Sequence, residues 1–140
     1  MNKEKSRVGY LQLIEGVISR MATASALFKG FTATVLAGVI AIAFKDMSVY
    51  VLGVMALPML GFLLMDLFYL GLERKYRVLY ASVCDGTHEC DYSLDVSAIC
   101  EYQSKSNLRA CLTSKSITLF YGPCFVAYAL LVGFKVLGIQ

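Results

Sequence analysis

The chain has no tryptophan, a single histidine (His88) and only two prolines in 140 residues. One histidine, scattered acids and no glycine-rich phosphate loop leave no nucleophile and base to pair, so the sequence does not read as an enzyme. Charge is scarce as well. Only 16% of residues are charged, and 13 Lys and Arg against 10 Asp and Glu give a net +3, so bulk charge does not mark a nucleic-acid binder. The first apolar run starts only near residue 30 and no small-residue cleavage site follows it, so a secretory signal peptide is not expected. No internal repeat and no pair of broken helices in related halves supports a secondary transporter.

What is abundant is apolar. The hydrophobic fraction of 58% and mean hydropathy of +0.64 are too high for an ordinary soluble domain of this length. Nine Tyr and eight Phe replace the missing Trp, many of them near the ends of apolar runs, where aromatic rings anchor at the headgroup level. The expected fold is an all-α membrane protein with an N-terminal amphipathic helix, a helical hairpin, a small cytoplasmic segment and a third C-terminal span, assembled as an oligomeric bundle.

Three runs carry that expectation. Residues 30–44 lie between Lys29 and Lys45; the run is short for a span, but lysines snorkel, and Thr32 and Thr34 can satisfy themselves on the helix backbone. Residues 47–72 hold one charge, Asp66, and break into Glu73-Arg74-Lys75-Tyr76-Arg77. Pro58 is a candidate kink there, and Gly53 and Gly61 leave room for close helix approach. Only Lys45-Asp46 separates these two runs, which predicts a tight hairpin. Residues 117–139 form the third run, interrupted by Gly122-Pro123 and Lys135, so it either spans or stops short. The expected division is 1–29, 30–72, 73–115 and 116–140.

Basic residues concentrate before the first run (Lys3, Lys5, Arg7, Arg20, Lys29) and between the second and third (Arg74, Lys75, Arg77, Lys105, Arg109, Lys115). An even number of crossings separates the two groups, so both are expected on the cytoplasmic side, with the N-terminus inside. In residues 3–29, Leu11, Ile14, Ile18, Met21 and Phe28 fall near one helical face, with Val17 and Leu27 beside them. That helix is either interfacial or packed on its neighbours, and the thinly charged polar face favours packing. The period of the second span continues through ERKYRVLYASV to about Val83, and Asp85-Gly86 marks a turn. Residues 94–99 and 107–112 read as short helices or strands.

Candidate chemistry sits on facing helices. Asp66, Tyr69, Glu73, Arg77 and Tyr80 recur every three or four residues and share a face. On an antiparallel neighbour, Lys29 falls near the depth of Asp66 or Tyr69, and Arg20 near Glu73 or further out. The separations along the two helices are about 13 and 10 Å, so both pairs can form together. They serve as ion pairs that join two helices, as parts of a gate, or as both, because an acid within a membrane is costly and marks a candidate site. Arg74, Lys75, Arg77, Lys105, Arg109 and Lys115 are interleaved with Tyr76, Tyr80, Tyr102, Ser104, Ser106 and Asn107. Such a set suits a phosphate-bearing ligand or a single-stranded oligonucleotide, and equally an anionic lipid surface. Cys84, Cys90, Cys100, Cys111 and Cys124 read as reduced cytoplasmic thiols. Cys84, His88 and Cys90 lack a standard zinc spacing, so no metal and no cofactor is expected.

Ile18-Ser19-Arg20-Met21, then Ser25 and Lys29-Gly30, followed by Met65-Asp66-x-x-Tyr69-Leu70-x-x-Glu73-Arg74-x-x-Arg77-x-Leu79-Tyr80, resembles a pattern of small bacterial membrane proteins. Those proteins are effectors of anti-phage defence operons partnered with a nucleotidyltransferase, the channel-forming effector of the Hailong system among them. The resemblance covers roughly residues 10–80, with Gly30-Phe31 where the pattern has Gly-Trp. It implies an inner-membrane, homo-oligomeric channel, for instance a tetramer, controlled by a nucleotide or short oligonucleotide on the cytoplasmic side. Its opening depolarises the membrane and produces abortive infection. The competing expectation is a non-conducting structural or adaptor subunit whose basic residues bind anionic lipid or a protein partner.

Overall fold

A computed structural model describes residues 2–43, 48–96 and 108–137 of the chain. The element order is α1 (Asn2–Ala43), α2 (Val49–Asp85), α3 (Leu108–Leu112) and α4 (Lys115–Val136), with no strand among the described residues. The amphipathic N-terminal stretch and the first apolar run are one unbroken helix of 42 residues. Neither proline nor a glycine pair divides it, so nothing in the sequence interrupts the hydrogen-bond ladder at residue 29. At about 1.5 Å per residue, α1 and α2 are roughly 63 and 56 Å long, about twice the hydrocarbon thickness of a bilayer. Three helices, α1, α2 and α4, are long and apolar enough to cross a membrane.

Pro58 lies inside α2 and Pro123 inside α4, and both helices continue through them. The Gly122-Pro123 interruption expected in the third run therefore does not end the helix. An apolar medium enforces intrahelical pairing, and only the few groups around the ring lose partners. α4 has 22 residues, about 33 Å, which matches a full crossing.

α2 ends as the Asp85-Gly86 signal suggests. Gly86 takes a left-handed φ of 75°, and the N–H groups of Gly86 and Thr87 bond back to the carbonyls of Val83 and Ser82. Of the two short segments left open between helix and strand, residues 108–112 form α3. Residues 94–96 have no regular structure, and 97–107 lie outside the described residues, as do Lys45 and Asp46.

α1 and α2 pack antiparallel along most of their length. At one end Tyr10 and Ile14 form a cluster with Leu79 and Val83; at the other Val39 meets Leu52. The N-terminal part of α1 is therefore packed on its neighbour, the second and favoured of the two alternatives above. After Gly86 the chain returns over this end. Tyr10 donates to the Ser93 carbonyl and its ring lies 5.5 Å from that of Tyr92. The Tyr92 hydroxyl donates to the Ser6 carbonyl at 2.9 Å, and Arg7 donates to the Cys84 carbonyl. Tyr92 has a φ of 59°, an uncommon conformation for a bulky residue, accompanied here by its contacts to the Tyr10 ring and to Ser6.

α4 joins less extensively. Ile117, Tyr121 and Cys111 pack with Leu67 of α2, and the Tyr128 hydroxyl donates to the Leu52 carbonyl. Large apolar side chains cover the outside: Leu57, Leu64 and Phe68 on α2, Leu119 (81% exposed) and Phe134 on α4. Exposed apolar surface on this scale belongs against lipid or another copy of the chain rather than water.

Candidate site: a buried ion pair between apolar helices

The polar interior is built by three helices. Asp66 of α2 has no exposed surface. Its Oδ2 lies 2.6 Å from the Lys29 Nζ of α1, and its Oδ1 accepts a hydrogen bond from the Ser25 hydroxyl. Lys29 also donates to the Ser25 Oγ at 2.7 Å. Ser25 and Lys29 are one helical turn apart, so both reach the same carboxylate. Lys29 and Asp66 thus form an ion pair between α1 and α2. Thr32, fully buried a turn further on, donates back to the Phe28 carbonyl at 2.9 Å, and Thr34 does the same to Gly30 at 3.0 Å. Tyr121 of α4 is 2% exposed, and its hydroxyl lies beside Thr32 and the Asp66 carboxylate without a hydrogen-bond partner.

An aromatic shell surrounds the pair. Phe28 stacks at 5.5 Å from Tyr69 and 6.3 Å from Phe62, and Phe31 lies 5.7 Å from Phe62. Asp66 sits about 26 Å along α2 from Val49, toward the far end of an apolar thickness of about 30 Å. There the charges are screened from water, and attraction and desolvation are both large.

The second expected pair does not form. Arg20 is exposed on α1, one position off the row that includes Val17 and Ser25. Glu73 is engaged instead by Arg77 of its own helix, with Nη2 at 2.7 Å and Nε donating at 2.8 Å. An i,i+4 pair on one helix needs no further ordering of the chain, which favours it over a pair between helices. Tyr69 is half-buried against Phe28.

The basic set is spread about one end of the molecule and not gathered into a single pocket wall. Arg74 is half-buried and donates to the Ala110 carbonyl at 3.0 Å, which ties α3 to α2. Lys75 is half-buried and has partners of its own. Arg77 is 62% exposed beside Glu73. Arg109 and Lys115 are exposed, and Lys105 lies outside the described residues. Among the cysteines, Cys84 and Cys90 are exposed, Cys124 is half-buried, and Cys111 of α3 is buried against Leu67 of α2; Cys100 is outside the described residues.

Three members of the buried cluster escaped the sequence reading as site residues: Ser25, Thr32 and Tyr121. Ser25 and Thr32 carried a signal, because they flank Lys29 at four and three residues and share its face. Tyr121 carried none, since nothing in the local pattern sets where α4 docks. No protein-family model, curated protein or solved structure matches the chain.

Proposed function

We propose that the protein is a membrane effector that assembles from several copies into an ion channel or pore, controlled by a nucleotide or short oligonucleotide. The observation that carries this reading is the buried Lys29–Ser25–Asp66 constellation, held between two helices whose outer faces are apolar. Ionisable groups at such depth are expensive, and face a bundle interior or an aqueous path when a protein retains them. A pair that is stable when closed and separable when the helices shift is a suitable element for a gate. Three helices enclose little space, so conduction needs a ring of copies, and the apolar faces of α2 and α4 offer contact surface for one.

Control is assigned to the end of the molecule that carries Arg74, Lys75, Arg77, Arg109 and Lys115. Guanidinium and ammonium groups there bind phosphates by charge-assisted hydrogen bonds. In this reading, supported by the resemblance to bacterial anti-phage effectors, that end faces the cytoplasm at an inner membrane and the signal comes from a nucleotidyltransferase. Opening then depolarises the membrane and aborts infection.

The test is ion flux from liposomes containing the purified protein, with and without a short single-stranded DNA oligomer of mixed sequence. Flux that changes with the oligomer, through binding that weakens as salt rises, is the expected result. Confirmed oligomers that conduct under no condition overturn the reading.

A further inference from the structure

The uncharged stretch of α4 measures a hydrocarbon layer. Lys115 and Lys135 carry the only charges of this helix, and they stand about 30 Å apart along it, the thickness of a bilayer core. Two clusters set α4 against α2. Leu67 packs with Ile117 and Tyr121, and Leu52 packs with Leu131 and Val132. Leu52 and Leu67 are about 22 Å apart along α2, and Ile117 and Leu131 about 21 Å apart along α4, so the two helices keep step. Lys115 therefore stands within about a turn of the level of Gly71.

α3 is pinned at the same level. Arg74 donates to the Ala110 carbonyl at 3.0 Å. Cys111 packs with Leu67, and its Sγ lies 4.0 Å from where a Cβ on Gly71 would be. The outward side chains of this corner are of two kinds. Arg109 and Lys115 are exposed cations. Leu112 is 42% exposed and Leu119 is 81% exposed. Arg109 and Leu112 are three residues apart on α3, and Lys115 and Leu119 four apart on α4, so each cation shares a helical face with a leucine. Residues 108–137 contain no Asp or Glu, and Glu73 of α2 is engaged by Arg77.

We propose that this corner binds an anionic phospholipid, with its phosphate on Arg109 and Lys115 and its acyl chain along Leu112 and Leu119. Guanidinium and ammonium groups donate charge-assisted hydrogen bonds to a phosphate, and cations at the edge of the hydrocarbon attract anionic headgroups. The aliphatic stem of Lys115 lies along apolar surface while its ammonium reaches the headgroup layer. The exposed leucines select lipid over a soluble phosphate, because a nucleotide or oligonucleotide has no acyl chain to cover them. Arg77 provides the contrast: it stands about 9 Å beyond Gly71 along α2, on the aqueous side. The inference rests on the membrane location of the helices and not on conduction or oligonucleotide control.

Native mass spectrometry of the full chain in neutral detergent, titrated with phosphatidylglycerol or with phosphatidylcholine, reads the binding. Phosphatidylglycerol is expected to bind about tenfold more tightly than phosphatidylcholine. Arg109→Gln/Lys115→Gln is expected to weaken phosphatidylglycerol roughly thirtyfold, and Arg77→Gln to leave it within about twofold. Unfolding midpoints in phosphatidylcholine nanodiscs check that the variants are folded; if the double variant is not, each single variant is read instead, with a loss of about fivefold expected. Equal affinity for the two lipids, wild-type affinity in the variants of the corner, or an equal loss in Arg77→Gln overturns the inference. Displacement of the lipid by inorganic phosphate or by the mixed-sequence DNA oligomer at the same concentration assigns the two cations to a soluble anion and overturns it as well. Liposomes whose ion flux ignores the oligomer overturn the functional reading and leave this inference standing.

Discussion

The pair of long helices holds two contrasting regions. Near the N-terminal end, Tyr10, Ile14, Leu79 and Val83 make an apolar cluster that includes no charge. Roughly three to four turns further on, the same two helices enclose a lysine, a serine and a fully buried aspartate. The first region gains from every contact it makes. The second recovers in Coulomb attraction and hydrogen bonds roughly what it loses in desolvation, so it contributes little net stability. A helix pair that needed only to adhere would repeat the first arrangement throughout. The second is conditional: it holds while each partner keeps the other neutralised, and it becomes a liability once they part.

This contrast can be broken most sharply at Lys29. Lys29→Met leaves Asp66 buried and unpaired and is expected to lower stability by about 3–5 kcal/mol, read by thermal unfolding in nanodiscs. The double variant Lys29→Met/Asp66→Leu is expected to recover most of that loss while abolishing any control of ion flux. A double variant as unstable as the single would show that the site packs like an ordinary core and that its charges are incidental. Ile14→Ala probes the apolar region and is expected to cost about 2–5 kcal/mol, with oligonucleotide control retained in the folded fraction. Loss of control at Ile14 equal to that at Lys29 would erase the distinction.

Smaller effects sharpen the boundary. Gly86→Ala strains the left-handed residue that ends α2, and an expected loss of about 1 kcal/mol should appear as faster hydrogen exchange across residues 82–96. Arg77→Ala is expected to change stability by less than about 1 kcal/mol, since Arg77 itself is largely exposed and its pair with Glu73 lies on one helix. A salt-dependent loss of oligomer binding in that variant would instead assign Arg77 to the ligand surface.

Much of this was legible in the sequence because it depends on short-range pattern. The continuation of the second apolar helix into the polar segment followed from its unbroken period, and its end at Asp85 from the Gly that follows. Lys29 and Asp66 were matched by simple depth counting from a tight hairpin, which works when two helices run antiparallel at constant rise. The same counting failed for Arg20 and Glu73. It fixes height but not azimuth, and it does not register that Arg77 competes for Glu73 from the same helix. Tyr92 was equally invisible, since a loop that folds back over α1 leaves no periodic trace.

Composition and periodicity alone settled that this chain is helical and has three segments apolar enough for a membrane, because hydrocarbon demands long runs of apolar side chains and internally paired backbone. They also determined that a lone acid stands within one of those runs. Which side chains meet that acid was decided only by tertiary structure. Ser25 and Lys29 reach it through the rotation of α1, and Tyr121 through the docking of α4. Azimuth and docking depend on the packing of whole helices, and no local stretch of residues encodes them.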